Sequence, residues 1–105
     1  MKASLRLAVV GMVVSLAAPV FGQDSGADIY KLKCAMCHGA DGTANTPAGK
    51  VFKAASFSDP AVVKISDANR AVVVKNGKNK MPVFGDKLSA DQIKAVLGYI
   101  RTLQK

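Results

Sequence analysis

A single small all-helical domain behind an export signal is what this sequence predicts, on three observations. The chain has 105 residues, enough for one domain. Its C-terminal part carries an apolar stripe at helical spacing behind a capping sequence. Upstream, Ser, Asp, Pro and Gly fall where short helices begin and end. With four Phe, two Tyr and no Trp, the chain has little from which to build a core, so a staple is expected; its two Cys are the first candidates. This composition excludes a multidomain protein, a disulfide-dense mini-protein and a multi-pass membrane protein.

The first element is the export signal. Lys2 and Arg6 form a short positive region, Leu7 to Ala18 is almost unbroken apolar sequence, and Pro19 stops it. Val20 and Gly22 precede a cut between Gly22 and Gln23. The apolar run is shorter than the roughly 20 residues that span a bilayer, which argues against an uncleaved anchor. Residues 1–22 are thus read as a cleaved signal peptide and residues 23–105 as the domain, in the periplasm. Cleavage removes two of the charges that give the full chain +8. The remaining lysines are scattered and lack interleaved aromatics, so nucleic acid is not an expected partner. An acidic protein surface is.

Asp24 or Ser25 caps a first helix carrying Ala27, Ile29, Tyr30 and Leu32 towards the cysteines. Gly39 to Ser58 reads as a long irregular stretch. Asp59-Pro60 is an N-cap followed by Pro at the first helical position, for a turn over Ala61 to Ile65. Ser66 or Asp67 caps Ala68 to Asn76, ended by Gly77; Val72, Val73 and Val74 lend that helix some strand character. Ser89 with Gln92 has capping-box spacing. Ile93, Val96, Leu97 and Ile100 then recur at i, i+3, i+4 and i+7 for burial, with Asp91 in the first turn and Arg101 and Lys105 near the end, as the helix dipole favours.

Cys34-Ala35-Met36-Cys37-His38 is C-x-x-C-H, the pattern of c-type haem attachment. On a helical turn the two thiols and the imidazole share one face, so the thiols can add to the two vinyl groups of one porphyrin while the imidazole reaches its iron. A redox-active disulfide would need a βαβ context that is missing here. A closed zinc site would need a fourth ligand, and the chain has no further Cys or His. A structural disulfide would leave the only His unexplained.

The sixth iron ligand must be soft or nitrogenous. Met1 and Met12 leave with the signal, and the short tether of Met36 to Cys37 keeps it off the opposite face. Met81 remains. Pro82 biases it towards an extended backbone, and the turn-prone run Asn76 to Lys80 lets the chain swing round before it. Its other possible role is to fill a gap in the core.

The segment Cys34 to Gly42, the segment Asn76-Gly77-Lys78-Asn79-Lys80-Met81-Pro82-Val83-Phe84 and the Tyr-bearing last helix together resemble a short bacterial class I cytochrome c, over essentially all of the mature chain. The resemblance implies short helices and loops wrapped around one covalently attached haem, with His38 and Met81 as axial ligands and the first and last helices crossing. Gly26 and Tyr30 match one side of that crossing; Val96, Gly98 and Tyr99 match the other. It also implies that the Pro47 carbonyl receives the imidazole N–H, unless Pro47 is simply a turn proline. Phe52, Phe57, Phe84, Leu88 and Ile93 are expected in the haem pocket or core. Lys50, Lys53, Arg70 and Lys78 are candidates to meet the propionates, and Lys33, Lys78, Lys80 and Lys87 to ring the haem edge.

With both axial positions filled, the expected function is outer-sphere one-electron transfer between redox proteins with acidic docking surfaces (an oxidase, reductase or dehydrogenase). The carrier would be a monomer with no stable membrane insertion, and not an enzyme. Two rivals are a haem ligand sensor or small peroxidase, with Met81 displaced, and a haem subunit permanently docked to an oxidase or dehydrogenase. Peroxide chemistry lacks a distal acid–base residue, because the one His is the proximal one.

Overall fold

The computed structural model describes Gly11 and residues 25–104. Apart from Gly11, the export segment expected at residues 1–22 lies outside the described residues, and so do Gln23, Asp24 and Lys105. Among the described residues six helices follow one another: α1 (Gly26–Lys33), α2 (Ala35–His38), α3 (Pro47–Phe52), α4 (Pro60–Val63), α5 (Asp67–Asn76) and α6 (Ala90–Leu103). Among the described residues no strand forms; an isolated bridge joins Lys78 and Met81.

The caps explain most of the boundaries. Ser25, Ser66 and Ser89 each accept the backbone N–H three residues on, starting α1, α5 and α6. The Ser89–Gln92 capping box closes in both directions, at 3.1 and 2.8 Å. Asp59 accepts from the Ala61 N–H and Pro60 opens α4, which stops at Val63, short of the expected Ile65. The three valines of α5 stay helical and point three ways: Val74 is buried, Val73 is half-buried and Val72 is exposed.

One correction concerns residues 39–58, read above as irregular. They contain α3, started by Thr46, whose hydroxyl accepts the Gly49 N–H, with Pro47 in the first turn. This is the cap-then-Pro pattern that marked Asp59-Pro60.

The core is the seam where α1 crosses α6, closed by α5 and the segment before α6. Ile29, Tyr30, Val74, Phe84, Leu88, Ile93, Val96, Leu97 and Ile100 are buried there. At the crossing, a Cβ on Gly26 would overlap the carbonyl of Ala95, so only glycine lets the backbones meet this closely. Tyr99 lies against Tyr30, with ring centroids 5.2 Å apart and planes tilted by 52°. Gly98 is a correction: nothing lies within 4 Å of where its Cβ would be, so it faces open space, not α1.

Two arginines close the corner of α4 and α5. Buried Arg70 donates to the carbonyls of Val62 (2.6 Å) and Ile65 (3.0 Å). Arg101, from α6, donates to Val63 and Ile65 and pairs with Asp67 at 2.7 Å. The carbonyls left open at the end of a four-residue helix are satisfied this way.

Candidate functional site

Chain order alone brings Cys34, Cys37 and His38 together. Cys34 ends α1 by donating its N–H to Tyr30, and the chain re-enters helix at Ala35. The His38 N–H returns to the Cys34 carbonyl at 3.0 Å, so the motif is one helical turn. As expected, the first helix carries the chain to the cysteines; Cys34 separates it from this turn. Tyr30 anchors it, donating its hydroxyl to the Gly39 carbonyl at 2.6 Å, and burial holds that phenol well above the usual tyrosine range.

A cleft of about 460 Å³ opens beside this turn, within the size range of cofactor sites. Cys34, Cys37, His38 and Met81 all line it. Phe52, Ala54, Val73, Pro82 and Phe84 supply apolar wall. Met81 arrives on a tight turn: its N–H donates to the Lys78 carbonyl at 2.8 Å, and the Lys78 N–H returns to the Met81 carbonyl at 3.3 Å. Gly77 enters this turn at φ 74°, with the Met81 carbonyl 2.8 Å from where a Cβ would sit. The four residues singled out by the sequence therefore share one cleft. Met36 is 78 % exposed and does not line it.

Chemistry at the site favours neutral donors. Cys34 and Cys37 are unbridged thiols, and burial pushes Cys34 up to about 11 despite the nearby Lys33. Burial also lowers the His38 pKa, against the effect of its hydrogen bond to Ala55. The Nδ1 of His38 lies 2.8 Å from the Ala55 carbonyl. Only an Nδ1–H tautomer can donate to that oxygen, which leaves the Nε2 lone pair for a metal.

The partner of that nitrogen is a correction. The resemblance implied the Pro47 carbonyl, but Pro47 opens α3, and a helical carbonyl is directed along its own axis. No sequence signal marks a backbone oxygen such as that of Ala55. Of the propionate candidates, Lys53 and Lys78 line the cleft; Lys50 and Arg70 do not, Arg70 donating to the Val62 and Ile65 carbonyls with its buried Nη1 left without a partner among the described residues. Of the edge candidates, Lys33, Lys78 and Lys80 line it, while Lys87 lies 5.9 Å above the Phe84 ring. Phe52 and Phe84 are cleft walls, whereas Leu88 and Ile93 belong to the core. Phe57 stacks on the His38 ring, a pairing that spacing alone did not reveal.

Two thiols and an imidazole on one turn, a thioether delivered across an apolar cleft, and a rim of lysines for two carboxylates fit a covalently attached haem. The family described as cytochrome c oxidase, cbb3-type, subunit III matches residues 22–100. The chain belongs to the c-type cytochromes. Relatives of this cytochrome include cytochrome c6 of a Synechococcus species, 33% identical over 99 residues, covering 91% of this chain and 85% of that protein. Cytochrome c6 of Gracilaria tenuistipitata var. liui is 34% identical over 77 residues, covering 73% and 68%. Among solved structures, the KustC0563 c-type cytochrome superposes with a TM-score of 0.71 at 30% identity, covering 78% of this chain and all of that one. The all-α class I fold and haem c with its iron follow for this cytochrome. It is a small electron carrier, not an enzyme, and its partners are redox proteins.

Proposed function

We propose that this cytochrome is an exported, periplasmic shuttle that holds one haem through Cys34 and Cys37 and ligates its iron with His38 and Met81. The observation that carries this is the convergence of all four side chains on one cleft, from segments more than forty residues apart in sequence. The haem, when bound, supplies reversible one-electron exchange at iron. The chain supplies the rest. His38 and Met81 would both hold the iron and leave no place for a substrate, which disfavours the sensor and peroxidase readings. Neither ligand has to leave on reduction, and a thioether opposite an imidazole raises the potential. Phe52, Val73 and Phe84 would give the haem apolar wall.

Lys33, Lys53, Lys78 and Lys80 line the cleft, and among the described residues no carboxylate does. The carrier therefore presents a positive face to acidic surfaces of an oxidase, reductase or dehydrogenase, and docks as a monomer at rates that fall with ionic strength. Residues 1–22 direct export and are removed, leaving 23–105 as the domain; no helix among the described residues is long and apolar enough to cross a membrane. A subunit permanently docked to an oxidase is the second reading, favoured by the description of the matching family; it requires a stable co-purifying partner.

Met81→Ala tests the ligand set. We expect haem to stay attached, the reduced protein to bind carbon monoxide, and the potential to fall. Unchanged potential and unchanged ligation in that variant would overturn the assignment.

A further inference from the structure

We infer that Phe57 is a positioning residue for the axial imidazole, fixing the plane of the His38 ring together with the Ala55 carbonyl. The inference rests on the proposed role of His38 as an iron ligand.

Phe57 lies face to face with His38, with centroids 4.5 Å apart and planes 19° from parallel. Two residues earlier, the Ala55 carbonyl holds Nδ1 at 2.8 Å. Turning the imidazole about the axis through Nε2 would break this hydrogen bond and drive the ring edge into the Phe57 face. Either contact alone leaves some freedom, since a single hydrogen bond tolerates a broad range of angles at a carbonyl. Together they define one plane.

The clamp is itself held. The Phe57 N–H donates to the Gly42 carbonyl at 2.7 Å, and its own carbonyl accepts from the Gln104 side-chain amide at 3.1 Å. Its ring also meets the buried Tyr30 ring, with centroids 6.3 Å apart. Phe57 is thus tied to the loop after the haem-attachment turn, to the end of α6 and to the core. Groups behind a metal ligand orient it and tune its basicity; here one is a backbone oxygen and the other an aromatic face.

The orientation of the axial planes sets how unpaired electron density spreads over an oxidised low-spin haem, so the hyperfine-shifted haem methyl resonances read it directly. We compare these by proton NMR in the oxidised holoprotein with Phe57→Leu, Phe57→Tyr and Gln104→Ala. Phe57→Leu keeps an apolar side chain but loses the flat face. The spread of the methyl shifts should contract while the c-type visible spectrum persists. Phe57→Tyr should restore the wild-type spread. Gln104→Ala loosens the same segment without touching the core and should move the spread the same way by less.

A wild-type spread in Phe57→Leu, with only thermal stability lost, would make Phe57 a core filler and overturn the inference. Should Phe57→Leu fail to fold, Gln104→Ala decides: a contracted spread supports the clamp and an unchanged one overturns it. Wild-type protein whose haem lacks His ligation would overturn both this inference and the proposed ligand set; wild-type ligation with unresponsive variants overturns this inference alone.

Discussion

At the crossing of α1 and α6, one hydrogen atom decides how close two helices come. The missing Cβ of Gly26 leaves room for the Ala95 carbonyl, and the approach it permits buries Ile29, Tyr30 and Val96 almost completely. Gly26→Ala forces the helices apart and should destabilise the holoprotein by about 2 kcal/mol, the middle of the range for overpacking. In a domain of this size that lowers the melting temperature by roughly 10 °C, readable by circular dichroism. An unchanged melting temperature would mean that the crossing yields at no cost. Gly98, expected at the same crossing, is free of it and makes a natural control. The resemblance placed both glycines at the seam. The sequence alone could not separate them, because a glycine that touches a neighbour and one that faces open space look the same.

Helix α3 couples the C-x-x-C-H turn to the far wall of the cleft. The Thr46 hydroxyl accepts from the Gly49 N–H and donates to the Cys37 carbonyl, both at 2.8 Å. One side chain thus starts α3 and docks it on the turn that carries the two cysteines. Phe52 and Lys53, at the far end, then reach the cleft, with Lys53 in the left-handed region at φ 53°. Thr46→Ala removes the cap and the cross-link together. A cap alone is worth about 1 kcal/mol, and we expect a loss of about 1–2 kcal/mol in thermal unfolding of the holoprotein; Thr46→Ser should recover most of it. A loss no larger than for an exposed threonine elsewhere would contradict the account.

The start of α3 was legible in principle, since Thr46-Pro47 repeats the logic of Asp59-Pro60. The density of Gly and Asn around it masked the signal, and six residues offer no periodicity to read. Helix α6 shows the opposite case. Its capping box and apolar stripe were both visible, and every residue of that stripe is buried. That Cys34, Cys37, His38 and Met81 share one cleft was legible because each belongs to a compact pattern. The Ala55 carbonyl and the Phe57 stack were not, because they depend on how the chain returns after α3.

Over the whole molecule, charge is sorted. Asp28, Asp67 and Asp91 lie in the first turns of α1, α5 and α6, and Asp59 caps α4, where helix dipoles favour negative charge. Among the described residues the cleft has lysines and no carboxylate. Four acids thus start helices, and four lysines give the cleft a positive rim, which is how a small carrier can be steered onto an acidic partner. A core of nine buried hydrophobic residues is small for the described chain. An apolar prosthetic group filling the cleft would supply the burial that the chain alone does not provide.

All of this depends on the iron being held by His38 and Met81. The most direct test is the visible and far-red absorption spectrum of the oxidised protein, made with its signal peptide in a host competent for c-type maturation. We expect a covalent c-type haem spectrum with the weak sulfur-to-iron charge-transfer band, lost in Met81→Ala. Covalent haem without that band in the wild-type protein would contradict the ligand set, and a chain without covalent haem would contradict the central claim.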